Sequence, residues 1–321
     1  MYLKAVPPFH FALEDDDDIA ESPFGGLTWN GRADTVAEFV RMPLFDENEM
    51  NARDSAEVAR RLRAAPYAAD LAREFGSLDT PASAMKAFAE ALQTFLTSET
   101  MSPFSSKFDD YLRGKAQLSP LEAKGLAAFV NRTKGACNHC HQVYEHSNRP
   151  ESSLFTNYSY DAVAVPRNRA LAANADPKRY DLGLCERTQK KVPSTDPKWC
   201  GAFRIPSLRN VAVRRRFMHN GAFSNLRDVV AFYATRSTNP DRWYPHGAKF
   251  DDVPARYRAN VNVTSFPYNR REGERPAFDD ADTDAIVAFL GTLTDEPYRS
   301  RMAAASQRTA TAEAPPATAA H

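Results

Sequence analysis

The sequence predicts a mostly α-helical protein in which short helices are joined by long irregular loops. Three observations carry that expectation. Apolar residues recur at helical spacing behind recognisable N-terminal caps, strand-like alternation is nearly absent, and a Cys-x-x-Cys-His segment follows directly on a capped helix. With 321 residues, 43% of them hydrophobic, the chain can bury a substantial core, enough for two domains.

Taken in order, the first thirty residues read as loop, with Pro7-Pro8, the acidic run Glu14 to Asp18 and Gly25-Gly26. The acidic run reads as a solvated loop, with a calcium site as the alternative. Val58 and Leu62 share a helical face in the segment from Ser55 to Ala65, which Pro66 stops. Leu71 and Phe75 mark a second helix, ending at Gly76 in an expected left-handed cap. Thr80-Pro81 opens the strongest helix, whose Met85, Phe88, Leu92 and Phe95 form a core stripe. Ser119-Pro120-Leu121-Glu122 is a capping box, and the helix it starts runs through Leu126 and Phe129 toward Cys137. From Ser147 to Pro206 the chain is rich in Pro, Asn and Arg without a period, so irregular loops are expected. Leu226, Val229, Val230 and Tyr233 mark a further helix, and Trp243 to Phe278 is loop-rich again. The last helix spans about Asp280 to Leu293, with Ile286, Phe289 and Leu290 on its apolar side. Residues 301–321, an Ala/Thr/Pro tail, carry too little apolar surface to fold.

Cys137-Asn138-His139-Cys140-His141 is the segment that carries chemistry. Two thiols one helical turn apart can add across the two vinyl groups of a porphyrin, and the following histidine then ligates its iron. The segment therefore reads as the attachment site of one covalent haem c, in a cytochrome c-like domain with long loops. The alternatives are a zinc half-site or a dithiol redox motif. Cys185 and Cys200 are too far apart to complete a compact zinc knuckle, and no βαβ setting surrounds the motif. Those two cysteines flank a polar loop with Lys190, Lys191, Pro193 and Pro197. A disulfide closing that loop would stabilise the fold by ~3 kcal/mol, against the alternative of two unpaired thiols.

The 41 basic and 41 acidic side chains cancel, which gives no general attraction to nucleic acid or anionic membrane. No apolar run approaches the length of a membrane span. Met1 to Pro8 lacks the layout of a secretion signal, yet haem attachment and a disulfide both point to the periplasm.

Further motifs narrow the reading. Gly201-Ala202-Phe203-Arg204-Ile205-Pro206-Ser207-Leu208-Arg209-Asn210, followed by Phe217-Met218-His219-Asn220-Gly221, resembles the signature of the bacterial di-haem cytochrome c peroxidases and their MauG-type branch. Leu27-Thr28-Trp29-Asn30-Gly31-Arg32-Ala33-Asp34 looks like that family's W-D-G-R-A motif, and Glu49-Met50 like its downstream E-M pair. The resemblance runs from Tyr2 to about Thr294. It implies that residues 1–115 are a helical remnant of a peroxidatic haem domain and 116–300 a C-terminal cytochrome c domain.

It also implies that His141 is the proximal ligand of the C-terminal haem. The sixth position falls to Tyr233, with Met218 as the competitor and His219 lining the haem environment. A tyrosinate lowers the iron's potential whereas a thioether raises it. By the same resemblance Trp29 bridges electrons between two haems, and Glu49 is the acid that moves a proton on bound peroxide. Hydrogen peroxide would be reduced with electrons from a small c-type cytochrome or cupredoxin, or a protein side chain would be oxidised instead. A mono-haem electron carrier is the rival. Two departures stand out. No cysteine precedes Trp29, so the family's first haem site has no counterpart, and Phe39 replaces a glutamine. His10 is a weak candidate for holding a haem without covalent bonds.

Overall fold

A computed structural model describes residues 2, 3, 6–13, 21–187 and 195–301. The acidic run with its suggested calcium site, Lys190, Lys191 and Pro193, and all of the C-terminal tail but Arg301 lie outside the described residues.

The leading segment is more ordered than its composition suggests. β1 (His10–Leu13) and β2 (Glu21–Phe24) pair antiparallel, with His10 opposite Phe24 and Leu13 opposite Glu21. The hairpin escapes a sequence reading because Pro23 interrupts its second strand. A two-stranded ribbon tolerates that proline, since each strand has a free edge. A second ribbon, β3 (Tyr160–Asp161) with β4 (Phe203–Arg204), ties together two distant loops.

Two helical clusters follow. α1 (Val36–Phe39) and α2 (Met42–Phe45) are single turns that lead into α3 (Ser55–Arg63), α4 (Ala68–Phe75) and α5 (Pro81–Leu96). Thr80 and Ser83 form a reciprocal capping box at the start of α5. The apolar stripe expected on α5 holds at Met85 and Phe88, which belong to or pack against the core, and fails at its C-terminal end. The helix buries Ala84, Met85, Ala87 and Ala89, while Phe95 remains 52% exposed. Small side chains let α3 and α4 approach α5 closely, and its C-terminal turn carries Phe95 clear of them. Gly76 also departs from expectation. At φ 97° and ψ 176° it keeps a positive φ that favours glycine but lies outside the left-handed helical basin.

The larger core gathers α6 (Lys107–Leu112), α7 (Pro120–Val130), α8 (Leu226–Thr235) and α9 (Asp280–Gly291). α6, on the N-terminal side of the expected 115/116 division, packs here through Phe108 and Leu112. Phe108, Phe129, Phe155 and Phe289 meet edge to face at its centre, with Phe129 and Phe289 centroids 5.3 Å apart. Arg209 is buried beside them. It donates two hydrogen bonds to the Asp109 carboxylate at 2.9 and 3.1 Å and others to the Pro150 and Ser153 carbonyls.

α7 and α9 touch backbone to backbone at Gly125. A Cβ there would lie 1.9 Å from the Ala285 carbonyl oxygen and 2.8 Å from Phe289 Cβ. Gly125→Ala should therefore destabilise by about 1–3 kcal/mol, as overpacking does. On an open helix face the same change would stabilise. A urea midpoint that stays constant or rises would contradict this crossing.

Candidate haem-binding site

The attachment segment is positioned by the end of α7. Gly135 N–H donates to the Ala128 carbonyl at 3.0 Å, so the chain folds back against the helix. Only glycine allows this, because a Cβ at residue 135 would stand 2.6 Å from that oxygen. Ala136 then takes a left-handed conformation and starts the 3-10 turn Cys137–His139. The Asn138 side chain caps Val143 N–H at 2.7 Å, and Asn157 N–H donates to the Cys140 carbonyl at 2.9 Å. The loop is thereby held at both ends.

Cys137, Cys140 and His141 all face a cavity of about 380 Å³ with mostly apolar walls, among them Phe129, Val230 and Leu290. That volume suits a cofactor better than a bare ion. His141 is held by its Nδ1, which donates to the Phe155 carbonyl at 3.0 Å. This places the lone pair on Nε2, the state a metal ligand needs. Burial pushes the imidazole pKa down to about 4 and so keeps it neutral. Cys137 and Cys140 are not joined to each other, and burial pushes each thiol up to about 12.

The remaining cysteines resolve the alternatives left by the sequence. Cys185 and Cys200 form a disulfide with a Cα–Cα distance of 4.8 Å. Among the described residues no three His, Cys, Asp or Glu side chains converge on a point that could hold a bare metal ion. Two free thiols, one neutral imidazole and an apolar slot fit a covalently attached haem and do not fit a zinc centre.

Tyr233, Met218 and His219 line the same cavity. Tyr233 projects from the last turns of α8, and its pKa is raised by burial first and then by Cys140, Asp161 and Cys137, against Arg236. Met218 sits at φ 66° in the turn before Gly221. His219 stacks on Phe203 with ring centroids 3.5 Å apart, and its Nε2 is 3.6 Å from Asp252.

Trp29 lies at the rim, 39% exposed. Its loop is gripped from two sides. Arg204 N–H donates to the Trp29 carbonyl at 2.8 Å, and Arg204 Nε to Thr28 at 3.2 Å. Arg187 is fully buried, pairs with Asp34, donates from Nε to the Gly31 carbonyl at 2.8 Å and lies 4.0 Å over the Phe9 ring. Gly31 is required at φ 68°, since a Cβ there would meet Tyr160 Oη at 2.2 Å.

Glu49 does not reach this cavity. It is exposed on the turn after α2, where its N–H bonds the Asp46 carbonyl at 3.1 Å. His10 is exposed as well, with Nδ1 bonded to the Pro8 carbonyl at 3.0 Å. Phe39 packs beside Leu3 and Leu27, away from the cavity.

Sequence reasoning missed Arg187, Arg204, Asp161, Arg236 and Tyr268. Arg236 lies 3.8 Å over the Tyr268 ring and donates to the Val163 and Asn262 carbonyls at 2.6 and 2.5 Å. Asn262 in turn donates to Asp161, whose carboxyl is raised by burial. Arg204 stands in the quoted Gly201–Asn210 signature, which could have flagged it, whereas Arg187, Asp161 and Tyr268 stand in stretches without a period.

Comparison with known proteins gives the family. Residues 11–117 match the family described as di-haem cytochrome c peroxidase. The chain is 34% identical over 309 residues to the methylamine utilization protein MauG of Paracoccus denitrificans, covering 92% of this chain and 73% of that protein. It is 28% identical to the cytochrome-c peroxidase IdrP1 of Pseudomonas sp. (strain SCT), covering 65% of this chain and 56% of the relative. Among solved structures, the diheme peroxidase BthA of Burkholderia thailandensis E264 superposes with a TM-score of 0.84 at 50% identity, covering 91% of this chain and 70% of that one.

Proposed function

Because the chain belongs to the family of di-haem cytochrome c peroxidases and MauG proteins, a family of oxidoreductases, we propose that it is a periplasmic c-type haem protein serving hydrogen peroxide reduction. Cys137 and Cys140 would hold one haem c covalently, and His141 and Tyr233 are the side chains that would ligate its iron. When bound, the haem supplies one-electron redox chemistry. The chain's own residues do the rest. The Phe155 carbonyl fixes the His141 tautomer, the apolar walls exclude water, and Trp29 at the rim passes electrons. A small c-type cytochrome or a cupredoxin is the expected donor.

The observation that carries this reading is the meeting of two free thiols, the His141 imidazole and Tyr233 in one cavity with Trp29 at its edge. Periplasmic expression should give one haem per chain by pyridine haemochrome assay and intact mass. Cys137→Ser combined with Cys140→Ser should abolish covalent attachment. Two haems per chain, or none, would overturn the assignment.

MauG-type oxidation of a protein side chain is the second reading, favoured by a tyrosine rather than a methionine at the sixth position. In both, Glu49 is assigned to proton transfer on peroxide at a second haem. The single-haem chain should therefore turn over little peroxide, and in a protein that also carries the family's first haem segment Glu49→Gln should lower turnover by about 10²–10⁴-fold, as loss of a general acid–base does. Unchanged turnover would remove Glu49 from the mechanism.

A further inference from the structure

We propose that the run Arg214, Arg215 and Arg216, together with Arg169, forms the docking surface for an acidic redox protein at the mouth of the haem cavity. The proposal rests on the haem reading above and adds where the partner binds and what charge it carries.

The 3-10 turn Val211–Val213 ends with Arg214 in an extended conformation, and the chain is anchored again where Phe217 N–H donates to the Phe223 carbonyl at 2.9 Å. Between these anchors all three arginines are exposed, and Arg214 and Arg216 also line the cavity. The loop after Pro166 extends the surface. Asn168 Nδ2 donates to the Asn220 carbonyl at 2.8 Å, and a Cβ on Gly221 would sit 3.8 Å from both Arg216 Cβ and Asn168 Nδ2. This brings the exposed side chains of Arg169 and Leu171 beside the arginine run.

The charges of the arginine run are unbalanced, whereas Arg169 is paired with Asp251. Among the described residues no carboxylate forms an ion pair with Arg214, Arg215 or Arg216. Asp251 and Asp252 are buried and bind Arg169 and Arg167 at 3.0 and 3.1 Å. Three adjacent like charges repel and contribute nothing to folding, whereas a partner of opposite sign gains orientation and encounter rate from them. The arginine content points to an interface, and the exposed Leu171 supplies an apolar contact. A nucleic acid fits poorly, because the chain as a whole carries no net charge and the patch is confined to one opening. Each encounter would move one electron. The partner is oxidised by one electron, the group held by Cys137, Cys140 and His141 is reduced by one, and no bond forms or breaks.

The test titrates the holoprotein with a small acidic cupredoxin and, as a charge control, a small basic c-type cytochrome, reading heat of binding and the rate of haem reduction. The acidic probe should bind more tightly and lose about tenfold in affinity as salt rises from about 20 to 200 mM, because screening shortens the reach of surface charge. R214Q/R215Q/R216Q should cost it at least about tenfold and leave the basic probe unchanged or tighter. Arg215 does not line the cavity, so Arg215→Glu alone should act in the same direction with the haem spectrum intact. Equal binding of the two probes, or indifference to Arg215→Glu and to salt, would overturn the proposal. A holoprotein lacking the covalent haem absorbance would overturn the underlying haem reading instead, and the heats of binding separate that failure from a failure of docking.

Discussion

Tyr233→Phe is expected to convert a low-spin ferric haem largely to high spin and to raise its reduction potential. The change removes one oxygen and keeps the ring, so the packing against Phe232 and Tyr268, with centroids 6.0 and 6.1 Å away, is preserved. Burial raises the phenol pKa, so the free side chain is protonated, and only a strong cation at the oxygen favours the anion. A ferric centre between Tyr233 and His141 would provide it. A tyrosinate stabilises the ferric state, and its loss opens a coordination position and shifts the potential upward. Absorption and electron paramagnetic resonance spectra would record the spin change. Met218→Leu should have much less effect although Met218 lines the same cavity. The reverse pattern, with Met218→Leu alone changing the spin state, would give the sixth position to the thioether.

Asp109→Ala is expected to destabilise the protein by about 3–5 kcal/mol, because it strands the buried Arg209 guanidinium without its carboxylate. Both side chains are inaccessible to water, and Nη1 of Arg209 reaches both carboxylate oxygens of Asp109. Arg209 also lies 4.9 Å over Tyr2 and 4.6 Å over Phe104, so the loss would loosen the leading segment as well as the loop at Pro150 and Ser153. Tyr2 remains bonded to Asp295 through its hydroxyl at 2.8 Å and gives a local reporter of that loosening. Replacing both partners, Asp109→Leu with Arg209→Met, should recover much of the stability, because apolar substitutes avoid the desolvation penalty. Urea unfolding measures all three proteins. A cost below about 1 kcal/mol for Asp109→Ala would mean that solvent reaches the pair.

Some of this protein is decided locally. Capping at Thr80 and Ser119 depends on a side chain reaching a backbone N–H three residues away, so those helix starts are legible from composition and spacing. The haem reading is equally local, since the two thiols and the imidazole must stand within five residues for one porphyrin to meet all three. Other features depend on partners far away in the chain. How far the buried face of α5 extends is set by how closely α3 and α4 approach its alanines, and the β1–β2 hairpin forms despite a proline that only an edge strand can hold. The grip of Arg187 on Gly31 and Asp34 spans more than 150 residues, and the assembly of Trp29, Met218, His219 and Tyr233 around one cavity spans the whole fold. By itself the sequence determined the helix starts at Thr80 and Ser119 and the family, and it carries the haem reading. The tertiary structure alone decided which side chains face the cavity, because burial and long-range hydrogen bonds belong to surfaces that exist only once distant segments have met.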